Sequence, residues 1–205
     1  MKCLRGVVVL ASLATFVVVP TTLGLTACGA GVSAVEVVPE MVISELGIKS
    51  DVRWVEACGG WFSTDFDEGM KNRSVNLRVA CGVIDGVELA PGAVFSFNEH
   101  VGLATREKGY LPAKIFVGGK ETEGLGGGIC QLSSTLYNAA DLMGLEIVER
   151  HPHSRRVYYV EVGRDASTAY GGKDLKFRND FDYPVRVRAS AVGGKNLVWF
   201  ERPAF

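Results

Sequence analysis

The chain has no excess of charge of either sign. Its 22 lysines and arginines are almost matched by 23 aspartates and glutamates, which gives a formal net charge of −1. Proteins that bind nucleic acid or an anionic membrane surface through bulk electrostatics carry a large positive excess. The composition therefore excludes that mode of binding for the chain as a whole, and we expect no nucleic-acid partner.

Long apolar runs are also missing. The most apolar stretch, residues 6–19, is too short for a comfortable membrane-spanning helix. It follows Lys2 and Arg5, and a short basic region before such a stretch is typical of an export signal. The segment LTACG at 25–29 is similar to a bacterial lipobox, in which the cysteine, here Cys28, is lipidated and becomes the first residue of the mature protein.

This N-terminus predicts a signal peptide at 1–27, a tether at 28–50 and an exported lipoprotein on the extracytoplasmic face of the bacterial membrane. The alternatives are a plain signal peptide or an uncleaved anchor. Stable anchoring would rest on several acyl chains, because a single chain holds a protein only weakly.

Cysteine and histidine are scarce, with five and three residues. Cys3 would leave with the signal peptide and Cys28 would carry lipid. In an oxidising exterior, the most economical arrangement of the remaining three is a disulfide between Cys58 and Cys81, with Cys130 free. Cys81 is equally well interpreted as a small buried apolar residue.

Residues 51–205 contain no internal repeat and predict one α+β domain of short, mostly antiparallel strands around a central helix. One helix is expected from Asn72 to about Ile84, with Val75, Val79 and Val83 on one face. A second helix, from Cys130 to Met143, has a clear apolar face and a glycine stop at Gly144. Strands are expected at 52–57, 93–98, 146–151 and 157–162, a loop at 61–69, and hairpins across the Gly-Gly pairs at 118–119 and 193–194.

The stretch GLGGGICQL at 124–132 points to a nucleophile. A thiol in the first turn of a helix is easier to ionise, because the unpaired N–H groups and the helix dipole favour the thiolate. The same N–H groups can stabilise an oxyanion. Glycines at 126–128 would let a substrate approach closely. The alternative is a buried thiol in a tight loop.

Two further polar stretches supply partners for Cys130. His151 and His153 are two residues apart in a strand-like context, so both are expected on one side, and either is a candidate general base. Asp165 is a candidate for orienting the imidazole, and Arg164 for binding a substrate carboxylate. A zinc site of Cys130, His151 and His153 is a weaker alternative, since one cysteine at a helix start is not a strong metal signature.

From about Phe62 to Val187 the chain resembles the VanW family. The resemblance rests on FST at 62–64, NR at 72–73, PGAVFSFNEHVG at 91–102, GY at 109–110, GGGICQLSSTLYNAA at 126–140, GLEIVERHPHS at 144–154, GRDASTAYGGKDLKFRN at 163–179 and YPV at 183–185. The departures are His100, where an apolar residue is expected, and Cys81, where alanine is expected.

The resemblance implies a peptidoglycan L,D-transpeptidase. Cys130 would be the nucleophile, His153 or His151 the base with His153 favoured, and Asp165 the orienting carboxylate. The oxyanion would be bound by backbone N–H groups around Gly128, Ile129 and Gln131. Arg164 and Tyr170 are candidates for contacts with the substrate.

The partners implied are peptidoglycan stem peptides and, through the lipid, the membrane; we expect a monomer with no cofactor or metal. Two other functions use the same residues differently. A cysteine hydrolase would let water resolve the thioester, and a non-catalytic wall-binding or glycopeptide-resistance accessory protein would use Cys130 structurally.

Overall fold

A four-stranded sheet, a three-stranded sheet and a hairpin surround one long helix. The computed structural model describes residues 53–117 and 120–204, without the side chains of 55–59 and 117. The elements are β1 Trp54–Asp65, α1 Lys71–Ile84, β2 Glu88–Leu89, β3 Val94–Ser96, α2 Phe97–Val101, β4 Pro112–Val117, β5 Lys120–Leu125, α3 Ile129–Met143, β6 Glu146–Glu149, β7 Lys176–Arg178, β8 Val185–Val192 and β9 Lys195–Pro203.

The strands pair in the orders β1-β9-β8-β2, β3-β7-β6 and β4-β5, and every pairing between described strands is antiparallel. The predicted α+β class with short antiparallel strands around a helix is therefore confirmed. No helix within 53–117 and 120–204 combines the length and apolar character needed to cross a bilayer. The predicted signal peptide at 1–27, the lipidated Cys28 and the tether at 28–50 lie outside the described residues.

Helix α3 is the centre of the core. Its predicted apolar face is confirmed, since Leu132, Leu136, Ala139 and Ala140 are fully buried and Met143 nearly so. The opposite face carries polar residues that are buried as well, because the helix packs against β1, β9, α1 and β6. The helix begins after Gly128 and ends at Gly144, both with positive φ. These two glycines explain why its bounds could be predicted closely.

Helix α1 is confirmed, but the predicted buried face is wrong. The residues buried against β8 and α3 include Leu77, Ala80 and Ile84, whereas Val83 on the predicted face is 39% exposed. The buried face also carries Asn76, which donates to Leu111 O and Gly127 O and accepts from Leu111 N. Because these hydrogen bonds satisfy its amide, a polar residue can be buried here, on a different face from the one that the valine periodicity predicted.

The N-terminal strand and the last hairpin differ in how well the sequence predicted them. The loop predicted at 61–69 is wrong for its first half, because β1 continues to Asp65 and pairs with β9 from Trp61 onward. The hairpin of β8 and β9 around Gly193–Gly194 is confirmed, as is that of β4 and β5, whose connecting residues 118–119 are not described.

The strand predicted at 157–162 is absent, and the one predicted at 146–151 ends at Glu149. Residues 150–175, which connect β6 to β7, are irregular. This connection carries His151, His153, Asp165 and Thr168, and isolated hydrogen bonds, such as that from Ser167 N–H to His151 O at 2.7 Å, hold it rather than a sheet.

Cys81 is a free, buried thiol. Its Sγ donates to Asn196 Oδ1 at 3.4 Å, so the alternative of a small buried residue is the one observed, and not the disulfide. The side chain of Cys58 lies outside the described part of the chain. His100, the other departure from the family pattern, stacks on Phe95 with ring centroids 4.5 Å apart, which explains a ring at an apolar position.

Candidate active site

The glycine run before Cys130 packs the first turn of α3 against its neighbours. A Cβ at Gly127 would lie 2.5 Å from Lys114 O, and one at Gly128 would lie 2.9 Å from Arg73 Cγ. Gly128 also has φ of 114°, a conformation that side chains rarely adopt. The glycines are therefore required by the protein's own packing, and the interpretation that they make room for a substrate is not needed.

Cys130, His153 and Asp165 lie together. The imidazole of His153 is close enough to the Cys130 thiol to influence its pKa, and its Nδ1 lies 2.6 Å from Asp165 Oδ2. The same carboxylate oxygen accepts from the His153 backbone N–H at 2.6 Å. Because Nδ1 is held by the carboxylate, Nε2 is the nitrogen left for the sulfur. This is the arrangement of nucleophile, base and orienting group used in nucleophilic catalysis.

The electrostatics of the three groups favour an ion pair. Burial opposes ionisation of Cys130, but the hydrogen bonds with His153 and with the Thr168 main chain outweigh it and lower the thiol pKa. Burial likewise opposes the charge on His153, yet its contacts with Cys130 and Asp165 raise its pKa. The two shifts have opposite signs and bring the two pKa values together. Both shifts favour the thiolate and imidazolium forms relative to an isolated thiol and imidazole.

A group of buried hydrogen bonds fixes Asp165 over α3. Arg150 donates from Nη2 to Asp165 Oδ1 at 3.1 Å and from Nε to the Asp165 carbonyl at 2.6 Å. Ser134 Oγ accepts from the Ala166 N–H at 2.9 Å and lies 2.8 Å from the Cys130 carbonyl. Ser134 thus joins the segment that carries Asp165 to the turn that carries Cys130. Sequence reasoning had singled out neither Ser134 nor Arg150.

His151 points elsewhere. Its Nε2 lies 2.9 Å from Glu149 Oε1, and the other oxygen of Glu149 lies 2.8 Å from Lys176 Nζ. The hydrogen bonds from Lys176 and His151 lower the pKa of Glu149 to about 2. The expectation that both histidines lie on one side of a strand is wrong, since residues 151–153 are not in a strand. Of the two, the structure brings His153 to Cys130.

Two of the three amides predicted to bind an oxyanion are already engaged. The Ile129 N–H donates to Gly126 O at 3.1 Å and the Gln131 N–H donates to Gly128 O at 2.9 Å. The amides of Gly128 and Cys130 donate to no described residue. The N–H groups available beside the sulfur are therefore those of Gly128 and of Cys130 itself, both within the stretch predicted from the sequence.

The two predicted substrate-contact residues lie in different settings. Arg164 is committed to α3, because it donates from Nε to Asn138 Oδ1 and from Nη1 to Asp141 Oδ2, both at 2.6 Å, and lies over the Tyr137 ring. Its guanidinium therefore attaches the β6–β7 connection to α3. Tyr170 is 62% exposed in a turn of that connection, so its contact with a substrate stays a prediction.

Three residues around the first turn of α3 were missed as site candidates by sequence reasoning. Thr168 O and Oγ1 lie 3.4 and 3.8 Å from Cys130 Sγ. Burial, with Cys130 nearby, raises the pKa of Tyr159. Arg73 donates to Gln131 Oε1 at 2.9 Å, while its buried Nε has no partner among the described residues. Arg73 and Thr168 left a sequence signal, as parts of the quoted stretches at 72–73 and 163–179, whereas Tyr159 lies outside them.

The buried end of α3 is tied to the sheet by a polar network. Gln131 Nε2 donates to Thr64 Oγ1 and to the Asp65 carbonyl, and Asn196 Nδ2 donates to Thr135 Oγ1 at 2.7 Å.

Within the described residues no group of three histidines, cysteines, aspartates or glutamates is arranged to hold a metal ion. The three residues of the alternative zinc site do not converge. His153 lies beside Cys130, whereas His151 contacts Glu149.

A family model described as VanW like protein matches residues 72–200, which is more than half of the chain. The chain belongs to the VanW family. It is 46% identical over 139 residues to the Bacillus subtilis (strain 168) protein named uncharacterized protein YoaR, covering 68% of this chain and 46% of that protein. It is 33% identical over 122 residues to the vancomycin B-type resistance protein VanW of Enterococcus faecalis (strain ATCC 700802 / V583), covering 57% of this chain and 44% of that protein.

The matched part of the chain therefore spans a little under half the length of each of these VanW-family relatives. No solved structure matches the chain significantly. The family match encloses every residue of the Cys130–His153–Asp165 chain and its supports Arg73, Ser134 and Arg150.

Proposed function

We propose that this VanW-family chain is an L,D-transpeptidase that links stem peptides of peptidoglycan by a 3–3 bond. The observation that carries the proposal is the His153–Asp165 hydrogen bond beside Cys130, whose sulfur lies in the first turn of a helix and interacts with the same imidazole. Acyl transfer to a sulfur needs a thiolate, a proton carrier and a group that keeps the imidazole oriented. These three are adjacent here.

In the first half-reaction, the Cys130 thiolate attacks the carbonyl of residue three in a tetrapeptide donor stem. A carbon–sulfur bond forms, and the negative charge on the oxygen is stabilised by the free amides of Gly128 and Cys130. The imidazolium of His153 gives its proton to the departing amine, and D-alanine leaves. The products are a thioester on Cys130 and a neutral imidazole.

In the second half-reaction, the side-chain amine of residue three in a second stem attacks the thioester as the free base. Its surplus proton passes to His153 and the carbon–sulfur bond breaks. The thiolate and the imidazolium are restored, so the cycle balances without a cofactor. Asp165 keeps Nδ1 occupied throughout, which directs both proton transfers through Nε2.

The proposal includes the location predicted from residues 1–28. An exported chain held to the outer face of the membrane by a lipid on Cys28 would lie beside its polymeric substrate. This part depends on the N-terminal sequence alone, and globomycin-sensitive processing with a lipid mass on Cys28 is the result expected from it.

The direct test is intact-mass measurement of the purified chain after incubation with tetrapeptide muropeptides, together with analysis of the muropeptide products. We expect an acyl increment on Cys130 and 3–3 dimers. Cys130→Ala removes both. Cys81→Ala is the matched control, since it deletes the other described thiol and leaves the acyl increment and the dimers unchanged.

The same experiment separates the alternatives. Free tripeptide without dimers would indicate a hydrolase that uses water to resolve the thioester. A chain that binds sacculi but never acquires the acyl mass, and whose Cys130→Ser variant binds equally well, would indicate a non-catalytic accessory protein and overturn the proposal.

A further inference from the structure

A cavity of about 320 Å³ lies beside the candidate base. It is lined by residues 150, 152–157, 162, 163 and 165, so that His153 is part of the lining and Cys130 is outside it. The imidazole therefore borders the cavity and also interacts with the sulfur. Pockets of a few hundred cubic ångströms hold small ligands or one or two residues of a peptide.

The lining carries surplus positive charge. It contains Arg150, Arg155 and Arg156 and a single carboxylate, Asp165. Arg150 is paired with that carboxylate. Arg155 and Arg156 are exposed, and neither makes a hydrogen bond or ion pair with any described residue. Two guanidinium groups are therefore available to a ligand, and a guanidinium is shaped to bind a carboxylate through two parallel hydrogen bonds.

We propose that this cavity is the acceptor subsite, in which Arg155 and Arg156 bind a carboxylate of the stem peptide whose amine receives the acyl group. The inference rests on the proposed function. In the second half-reaction the attacking amine must reach both the thioester and His153, which takes its proton. An acceptor held in a cavity on the wall of that imidazole meets this requirement.

The chemistry of the lining suits this ligand in two further ways. The side chains of Val157 and Val162 supply apolar contacts for an aliphatic arm, and Val162 is 78% exposed. Two guanidinium charges nearby also disfavour a second cation, so an amine entering the cavity is driven toward its neutral, nucleophilic form. An occupied cavity would in addition exclude water from the thioester.

The first test is equilibrium binding of a stem tripeptide to the full chain carrying Cys130→Ala. This variant has no thiol at position 130, so no thioester forms there during the measurement. We expect Arg155→Gln with Arg156→Gln to weaken binding about tenfold or more, as for loss of a charge-assisted pair of hydrogen bonds. A tripeptide with amidated carboxylates should bind as weakly to the unaltered cavity, and the double variant should not distinguish the two peptides. Equal affinities in all four combinations would overturn the subsite, whatever Cys130 does.

The second test uses the active chain. The double variant should acquire the acyl mass on Cys130 at an unchanged rate, while the ratio of 3–3 dimer to hydrolysed tripeptide falls about tenfold or more. Arg106→Gln with Lys120→Gln removes the same charge away from this cavity and should leave the ratio unchanged. Slower acylation matched by an equal loss of dimer would contradict an acceptor role. Absence of any acyl mass on the unaltered chain would instead refute the proposed function.

Discussion

Asp165 holds His153 twice through one oxygen. Oδ2 accepts from the backbone N–H of His153 and from its Nδ1, both at 2.6 Å. The first hydrogen bond fixes the position of the His153 main chain, and the second fixes the orientation of its imidazole ring. The ring is therefore oriented without help from a strand or a helix, in a connection that has neither.

Asp165→Asn should keep the shape of this contact and lose its charge. The amide can present its NH₂ group to Nδ1 and so select the wrong tautomer, with the proton on the nitrogen that faces Cys130. We expect the rate of acyl transfer to fall by about 10²-fold to 10⁴-fold, measured as the single-turnover rate of acyl mass on Cys130. Circular dichroism and the thermal midpoint serve as controls for folding. A rate within twofold of the unaltered chain would mean that Asp165 does not orient the base.

The pH dependence of thiol alkylation should identify the histidine that acts. The pKa of Cys130 is lowered because His153 and the Thr168 main chain outweigh burial. A lower pKa means more thiolate at a given pH, so iodoacetamide should modify Cys130 at pH values below those expected for a free thiol. His153→Gln removes the first of these supports, and the midpoint of the alkylation profile should then move to higher pH.

His151→Gln is the matched variant, because the ring it removes lies against Glu149. Its alkylation profile should coincide with that of the unaltered chain. A shift with His151→Gln and none with His153→Gln would reverse the assignment of the base.

Ser134→Ala should loosen the segment that carries Asp165. It leaves the Ala166 N–H without its acceptor in a buried setting, which costs about 1–3 kcal/mol of unfolding free energy. Urea denaturation measures this cost. Acylation should slow as well, since Asp165 is the preceding residue. A loss of stability with an unchanged acylation rate would show that Ser134 supports the fold only.

The two glycines that bound α3 allow a comparison within one helix. Gly144→Ala places a side chain at positive φ, with nothing within 4 Å of the new Cβ, and should cost about 1–2 kcal/mol. Gly128→Ala meets Arg73 as well, and should cost about 2–5 kcal/mol. Only the second should slow alkylation of Cys130. If the two variants changed the alkylation rate of Cys130 equally, the geometry of the first turn would not determine the reactivity of the sulfur.

The parts of the fold that the sequence predicted well have a local cause. Helix α3 has an apolar face and a glycine at each end, and the β8–β9 hairpin has alternating residues around Gly193–Gly194. The buried face of α1 could not be predicted, because Asn76 is buried through hydrogen bonds to residues 35 and 51 positions further along the chain. The alternation at 157–162 was misleading, since Tyr158 and Val162 remain 73% and 78% exposed and no strand pairs with this segment.

The same division holds for the site. Residue type and helix position were enough to suggest Cys130, and residue type alone suggested His153 and Asp165. The choice between the two histidines needed the path of the backbone after Glu149. Arg150 and Thr168 lie inside the family motifs at 144–154 and 163–179, and Tyr159 lies outside them. The roles of all three depend on contacts made by folding, which no local pattern marks.

The burial of Cys81 has a practical consequence. Burial and the nearby charge of Asp85 raise its pKa, and its thiol hydrogen is given to Asn196, so it stays unreactive while α1, β9 and their neighbours remain closed. Alkylation of this sulfur would record how often that part of the interior opens. One alkylation experiment on the two described cysteines would therefore give two rates. Modification of Cys130 would report the reactivity of its thiol, and the slower modification of Cys81 would report opening of the core.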